Sequence, residues 1–242
     1  MLGEKKLNYL NVGCGNKYHK DWINIDMYSN SSYVIAHNLL IGIPFSENTF
    51  DVVYHSQVLE HFPKSKADFF ISECYRVLKP NGIIRIGIPN LEDLAKNYLK
   101  FLSQNMREPT EESRANYEWI LLEMFDQTMR NYSGGEMAEF IQQPKLCNEK
   151  FIIDRIGHVG RMIRESYLKS LDNKSNSSKQ RLFVSKLINK IKRNLKRSTW
   201  RLRLIKIILN NDEKEYLKIG KFRLGGEVHY CMYDRYSVTG LL

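Results

Sequence analysis

The sequence predicts an α/β fold: a mostly parallel, twisted sheet flanked by helices, with a helical insertion after the fifth strand and a basic helix near the C-terminus. Three observations predict it. Short apolar runs alternate with helical spacing over the first ninety or so residues, the pattern of strand–helix–strand units. The polar residues with chemical character fall at the ends of those runs, where such sheets bind ligands. Apolar residues are 43% of 242, enough for one substantial core with an extension and too short a chain for two full α/β domains.

The elements follow in order. Leu7 to Val12 (LNYLNV) is an apolar run that stops at Gly13-Cys14-Gly15, as a buried strand stops at a tight turn. Trp22 to Ile25 is a second strand ending at Asp26, and Tyr33 to Ala36 is a weaker third. Phe50 to Tyr54 is a fourth, and Gly82 to Ile88 a fifth, stopped by Pro89. Between these two, Phe69, Phe70, Cys74, Val77 and Leu78 recur at helical spacing over Ser65 to Leu78. Lys79-Pro80-Asn81-Gly82 then turns the chain. Gly13 to Gly15, Asp26, Asn38, His55 to Gln57 and Pro89-Asn90 all lie at carboxyl ends of strands.

After Asn90 the pattern is helical to about Tyr132, where Ser133-Gly134-Gly135 breaks it. Tyr132 to Phe140 (YSGGEMAEF) reads either as a loop over the acceptor or as a plain connection between helices. The expected organisation is a core at 1–98, a helical insertion covering the acceptor side at 99–170, a linker and basic amphipathic helix at 171–221, and a C-terminal segment returning to the site at 222–242.

The net charge of +10 is concentrated. From Lys174 to Lys206 there are twelve Lys and Arg and no Asp or Glu, which leaves the rest of the chain at −2. An electrostatic partner therefore meets that segment rather than the whole surface. Val184, Ile188, Ile191, Leu195, Ser198, Leu202, Ile205 and Leu209 form one apolar stripe along a helix of roughly seven turns. Three partners suit it: the domain itself or a second subunit, an anionic membrane surface holding the helix in plane, or RNA. The stripe disfavours nucleic acid, which needs the cations but not a continuous apolar face.

No apolar run approaches the ~20 residues of a spanning helix, and Met1 to Lys6 has no signal-peptide layout. Cys14, Cys74, Cys147 and Cys231 form no C-x-x-C pair. The expectation is a cytoplasmic protein with reduced thiols, in peripheral contact with the inner face of the membrane through residues 182–209.

Gly13 and Gly15 allow a tight turn and close approach of a ligand. Asp26, at the end of the second strand, suits the hydrogen bonds of a ribose diol. A dinucleotide is disfavoured, because no third glycine opens a helix for a pyrophosphate.

LNVGCG, WINID, IPFSENTFDVVYHSQVLEHF and RVLKPNGIIRIGIPN resemble, in order and spacing, the motifs of class I S-adenosylmethionine (SAM)-dependent methyltransferases of the type 11 kind. The resemblance is greatest to the group found among bacterial surface-polysaccharide biosynthesis proteins. It covers Leu7 to about Tyr98, and GGEVHYCMYDRYSVTGLL at Gly225 to Leu242 is similar to that group's G-E-x-H-x-W-M-Y-D-R-Y-S segment. The resemblance implies a Rossmann-like core, SAM as cofactor with S-adenosylhomocysteine (SAH) as product, and O-methylation of a sugar, nucleotide-sugar or other surface-glycan component.

Carried over residue by residue, it places Gly13, Cys14 and Gly15 under the methionine part of SAM. Asp26 takes the ribose hydroxyls and Met27 packs on the adenine. Asn38 and Leu39 stand where the family has Asp-Leu near the adenine amino group, and Ser56 and Gln57 line the sulfonium end. Many relatives carry His at the position of Gln57; if that His is the family's base, this chain needs another. Relatives also continue into a strand pair that completes a seven-stranded sheet. This chain stops at Leu242; either the protein is natively short or the sequence is truncated, and in both cases the expectation is a sheet edge exposed or covered by a partner chain, as in a homodimer.

Methyl transfer needs an acceptor lone pair in line at about 3 Å, and a hydroxyl acceptor needs a base. His229 is the first candidate: Glu227 and His229 in GEVH face the same way on an extended chain, so the carboxylate can orient the imidazole or grip substrate. His61, after Glu60, is the second, and His158 between two glycines a looser third. His19, His37 and His55 read as structural. No dense Asp/Glu constellation suggests a metal, and none is expected. His55-Ser56-Gln57-Val58 stands where adenine and cytosine N-methyltransferases carry [ND]-P-P-[YF], which disfavours nucleobase amines. Three rivals stand beside sugar methylation: an RNA methyltransferase using the basic helix, a non-catalytic SAM-fold binding protein at the membrane surface, and an enzyme using SAM for other chemistry.

Overall fold

The computed structural model describes residues 7–29, 31–176 and 209–242. The predicted basic helix lies outside the described residues. Five strands, β1 (Tyr9–Val12), β2 (Ile23–Asp26), β3 (Val34–Ala36), β4 (Phe50–Ser56) and β5 (Leu78–Gly87), form one sheet in the order β3-β2-β1-β4-β5. Every pairing is parallel. The order reverses at β1 and β4, the kind of switch point where such sheets open a crevice.

Paired residues share a face. Leu10 is opposite Val53, Val12 opposite His55 and Ile25, and Val53 opposite Ile84. Helix α1 (Lys64–Val77) buries Ala67, Phe70, Ile71, Cys74 and Val77, the i, i+3, i+4, i+7 set that makes one stripe. The stripe and that sheet face make the first core, with Leu39, Phe50, Leu59 and Phe62. On the other face Tyr9 stacks on Trp22 at 4.9 Å, Trp22 meets the edge of Tyr54, and Arg85 lies over Tyr54.

The β1–β2 connection contains no helix, although parallel strands usually need a crossover of a dozen or more residues. Two asparagines do the holding instead. Asn24 Nδ2 donates to the carbonyls of His19, Trp22 and Tyr33, at 2.9, 2.9 and 3.2 Å. Asn11 Nδ2 donates to Lys17 O and to Asn24 Oδ1, both at 3.2 Å. Both side chains are buried, so these bonds replace water the loop carbonyls would otherwise require.

β5 begins earlier than the sequence suggests. Leu78 pairs with Phe50 and Ile83 with Val52, so the expected turn at Lys79-Pro80-Asn81-Gly82 survives as a bulge inside the strand, with Asn81 at φ 64°. Leu78 is drawn into the ladder by its own burial.

Helices α2 (Leu91–Arg107), α3 (Glu111–Met129), α4 (Gly135–Ile141), α5 (Glu149–Asn176), α6 (Asn211–Arg223) and α7 (Arg235–Thr239) follow. Two compact units result: Met1–Asn97 with Val228–Leu242, and Tyr98–Glu227. In the second, Trp119, Ile141 and Ile152 centre a separate core. The segment Tyr132 to Phe140, read as a loop or connection, is mostly α4. Gly134 at φ 81° starts it, and Asp126 Oδ1 accepts from Glu136 N at 2.8 Å, a carboxylate at a helix N-terminus. In the first unit the C-terminal segment bridges Tyr233 to Asn90, and Tyr233, Val238 and Leu241 pack on the sheet core. Among the described residues no helix is long and apolar enough to cross a membrane.

Candidate active site

β1 ends at Val12, and the chain turns on Gly13 (φ 66°) and Gly15 (φ 54°). The amides of Gly13 and Cys14 both donate to Ile25 O, at 2.8 and 3.2 Å, which ties the turn to β2. A Cβ at Gly13 would clash with the Val58 side chain, while one at Gly15 would meet nothing within 4 Å. Gly13 is thus required by packing and backbone together, Gly15 by backbone alone. Cys14 is buried, and burial, then the charge of Asp26, pushes its thiol up to about 11. It stays neutral and packs.

Asp26 closes β2 half-buried. Its Oδ2 accepts from Gly15 N at 2.7 Å and its Oδ1 from Tyr28 N at 3.4 Å. A carboxylate has about four acceptor sites, so capacity remains for two hydroxyls. Beside it opens a cavity of about 290 Å³ lined by Gly15, Asn16, Tyr18, Asp26, Tyr28, Ser31 and Val34. A carboxylate, two aromatic rings and a bare glycine backbone fit the ribose and base of a nucleoside.

The other cofactor candidates stand elsewhere. Met27 is exposed next to Asp26. Asn38 Oδ1 accepts from Leu40 N at 3.0 Å and caps the 3-10 turn at Leu39–Ile41. Leu39 lies with its side chain buried in the sheet core, because the 3-10 turn points it inward and leaves Leu40 and Ile41 exposed. Ser56 ends β4, and Gln57 follows exposed at φ 57°, its amide donating to Gly87 O at 2.9 Å. Neither lines the cavity. Tyr18, Tyr28 and Ser31, which do, were not singled out from the sequence; exposed tyrosines in the short loops flanking a strand end are the signal that marks them.

A second group of polar residues gathers where β4 gives way to the 3-10 turn Leu59–His61. Tyr230 N donates to Glu60 O at 2.8 Å, and His61 Nδ1 lies 3.2 Å from Val228 O. The rings of His61 and His229 meet edge to face at 4.6 Å. Donor atoms of Glu60, His61 and His229 all lie within 4.8 Å of one another. Glu60 is fully buried, neither of its oxygens makes a well-formed hydrogen bond, and burial pushes its carboxyl up to about 7.

Glu227 departs from the extended Glu-x-His reading. Residues 227–229 form no strand, and Gly226 turns the chain at φ 87°. Its carboxylate accepts from Gly134 N at 3.0 Å and lies 3.6 Å from Arg130. The acid that the structure brings to His229 is Glu60. Of the remaining histidines, His158 is exposed on α5. His37 Nε2 bonds Gly42 O at 3.0 Å, His19 Nδ1 accepts from Asp21 N at 3.3 Å, and His55 is buried against Phe70.

Residues 10–86 match the family described as Methyltransferase domain. A Mycolicibacterium smegmatis protein described as "Probable S-adenosylmethionine-dependent methyltransferase" is 39% identical over 56 residues. Residues 10–86, which carry the N-terminal sheet, are thus similar to a methyltransferase domain. That alignment covers 23% of this chain and 21% of the relative, so the chain spans about a fifth of the curated relative it matches.

Two solved structures are also similar. The YcgJ protein from Bacillus subtilis has 16% identity and a TM-score of 0.30 over 41% of this chain and 52% of its own. A complex of the Haloferax volcanii Trm112 methyltransferase activator with a methyltransferase has 14% identity and a TM-score of 0.31 over 50% and 62%. The methyltransferase-domain match encloses the glycine turn, Asp26 and the Glu60–His61 turn, and ends before His229.

Proposed function

We propose that the chain transfers the methyl group of SAM to an oxygen of a sugar, nucleotide-sugar or other surface-glycan component. The observation that carries the cofactor half is Asp26 bonded to Gly15 N at the edge of a cavity flanked by Tyr18 and Tyr28. SAM, when bound, supplies the activated methyl group as a sulfonium. Asp26 accepts the ribose hydroxyls, the Gly13–Gly15 turn leaves room for the methionine part, and the tyrosines flank the base. His61 and His229 handle the acceptor hydroxyl. Its proton passes to the His229 imidazole as the oxygen bonds the methyl carbon, and the carbon–sulfur bonding pair stays on sulfur.

The acceptor class is supported by the resemblance at residues 7–98 and 225–242 to the surface-polysaccharide group. A basic, apolar-striped segment at 182–209 suits an enzyme that meets its acceptor at the inner membrane face. A second reading, RNA methylation, is favoured by the twelve cations from Lys174 to Lys206.

The test is calorimetry with SAH, followed by label transfer from SAM to nucleotide-sugars, lipid-linked glycans and RNA. SAH binding and label in a sugar are expected, with His229→Ala lowering turnover by about 10²–10⁴-fold. Failure of SAH to bind folded protein overturns the cofactor, and label in RNA alone overturns the acceptor.

A further inference from the structure

We propose that Glu60, His61 and His229 form a binding site for one divalent ion of the zinc, cobalt or manganese kind, on the acceptor side of the methyltransferase domain. Its catalytic use rests on the methyl-transfer reading above; the binding does not.

Glu60 is the first reason. A carboxyl with no solvent exposure and no well-formed hydrogen bond to either oxygen carries a desolvation cost that the neighbouring backbone of Val58 and Glu60 only partly offsets. A cation within reach of its oxygens removes that cost. The two imidazoles are the second reason. Donor atoms from all three side chains already lie within 4.8 Å of one another. A tetrahedral shell with bonds of about 2.0–2.1 Å holds its ligands roughly 3.3 Å apart, so closing the site takes side-chain rotations and no change of fold.

The second shell is the third reason. His61 Nδ1 faces Val228 O at 3.2 Å. That carbonyl can only accept, so it holds the proton on Nδ1 and makes Nε2 the nitrogen that would turn to a metal, as metal-bound histidines are generally oriented. The site is also braced from both chain segments, since Tyr230 N donates to Glu60 O at 2.8 Å.

Ligand type selects the metal. Two imidazoles and one carboxylate suit zinc, cobalt or manganese, whereas magnesium and calcium want oxygen shells. Three protein ligands leave a position open. Val58, two residues before Glu60, is the side chain that a Cβ on Gly13 would strike, so the turn carrying the site abuts the glycine turn of the cofactor pocket. With both imidazoles ligating the ion they would act on the acceptor through it rather than as bases: a hydroxyl in the open position would lose its proton to solvent more readily, and its lone pair would be held at the cofactor side.

The test uses the full chain, stripped with a chelator and titrated with Zn²⁺ by calorimetry, with metal content after dialysis as a check. One zinc per chain is expected. Affinity should fall more than about tenfold in each of His61→Ala, His229→Ala and Glu60→Gln. Titration of SAH into the same samples reports separately on the cofactor pocket. Zinc bound without SAH leaves this site standing and removes the methyl-transfer reading; SAH bound without zinc does the reverse. Should a variant fail to fold, Co²⁺ added to the unsubstituted protein decides. Visible d–d bands of a tetrahedral nitrogen–oxygen site are expected, and their absence overturns the proposal, as does zinc affinity unchanged in all three variants.

Discussion

At Asp26 one carboxylate serves two purposes. It holds the glycine turn through Gly15 N at 2.7 Å and keeps acceptor capacity toward the cavity. Asp26→Ala removes both, so the expected result is SAH affinity lower by about 10–100-fold, or roughly 1.4–2.8 kcal/mol, read by calorimetry with little change in melting temperature. Equal affinity in the variant would move the ribose away from Asp26. This residue was legible in the sequence because what it needs is local: a strand that ends beside a glycine turn. Glu60 was not. Its partners His61 and His229 belong to segments far apart in sequence, and no spacing rule links LEH to GEVH. Leu39 shows something else that resemblance could not give: the side chain at that motif position is packed in the core.

β4 carries a buried titratable group whose effect on the element is measurable. His55 lies on the core-facing side, paired with Val12 and Ile86, with its ring against Phe70, and burial pushes its pKa down from 6.5 to about 4. The unfolded chain therefore binds a proton that the folded one refuses between those values. The stability this group permits is complete above pH 6.5 and is lost as the pH falls toward 4, by up to about 3 kcal/mol. Glu60, pushed up to about 7, acts in the opposite direction, so the measurement is a difference between variants. Urea unfolding of the parent and of His55→Leu, at pH 7.5 and 4.5 with chelator present, should show the parent losing about 2–3 kcal/mol relative to the variant. Parallel pH profiles would mean that His55 reaches water or a partner. Strand β4 and helix α1 were readable to within a residue or two because FDVVY is a short bounded apolar run and the α1 stripe repeats at helical spacing. α4 was not, because a Gly-Gly pair reads as a break; the Asp126 carboxylate, which makes it a helix start, comes from the preceding helix.

At the scale of the whole molecule the charge is divided as the sequence is: a chain at −2 carrying a segment with twelve cations. Cations near an anionic bilayer contribute about 1 kcal/mol each, and the helix expected from the sequence over Val184 to Leu209 would add an apolar face to insert. Full-length protein should therefore sediment with phosphatidylserine-containing vesicles and not with phosphatidylcholine ones. Replacing Lys190, Arg193, Lys196 and Arg197 together by Gln should weaken that binding by a hundredfold or more, about 1 kcal/mol per cation. Replacing Ile188 and Ile191 by Ser should weaken it too, by the transfer free energy of two aliphatic side chains. The second substitution separates the partners. RNA binding depends on the cations and on salt but not on those isoleucines. Vesicle binding lost with the arginines and lysines yet untouched by the isoleucine changes would show that the segment grips phosphates, and the membrane assignment would give way to nucleic acid.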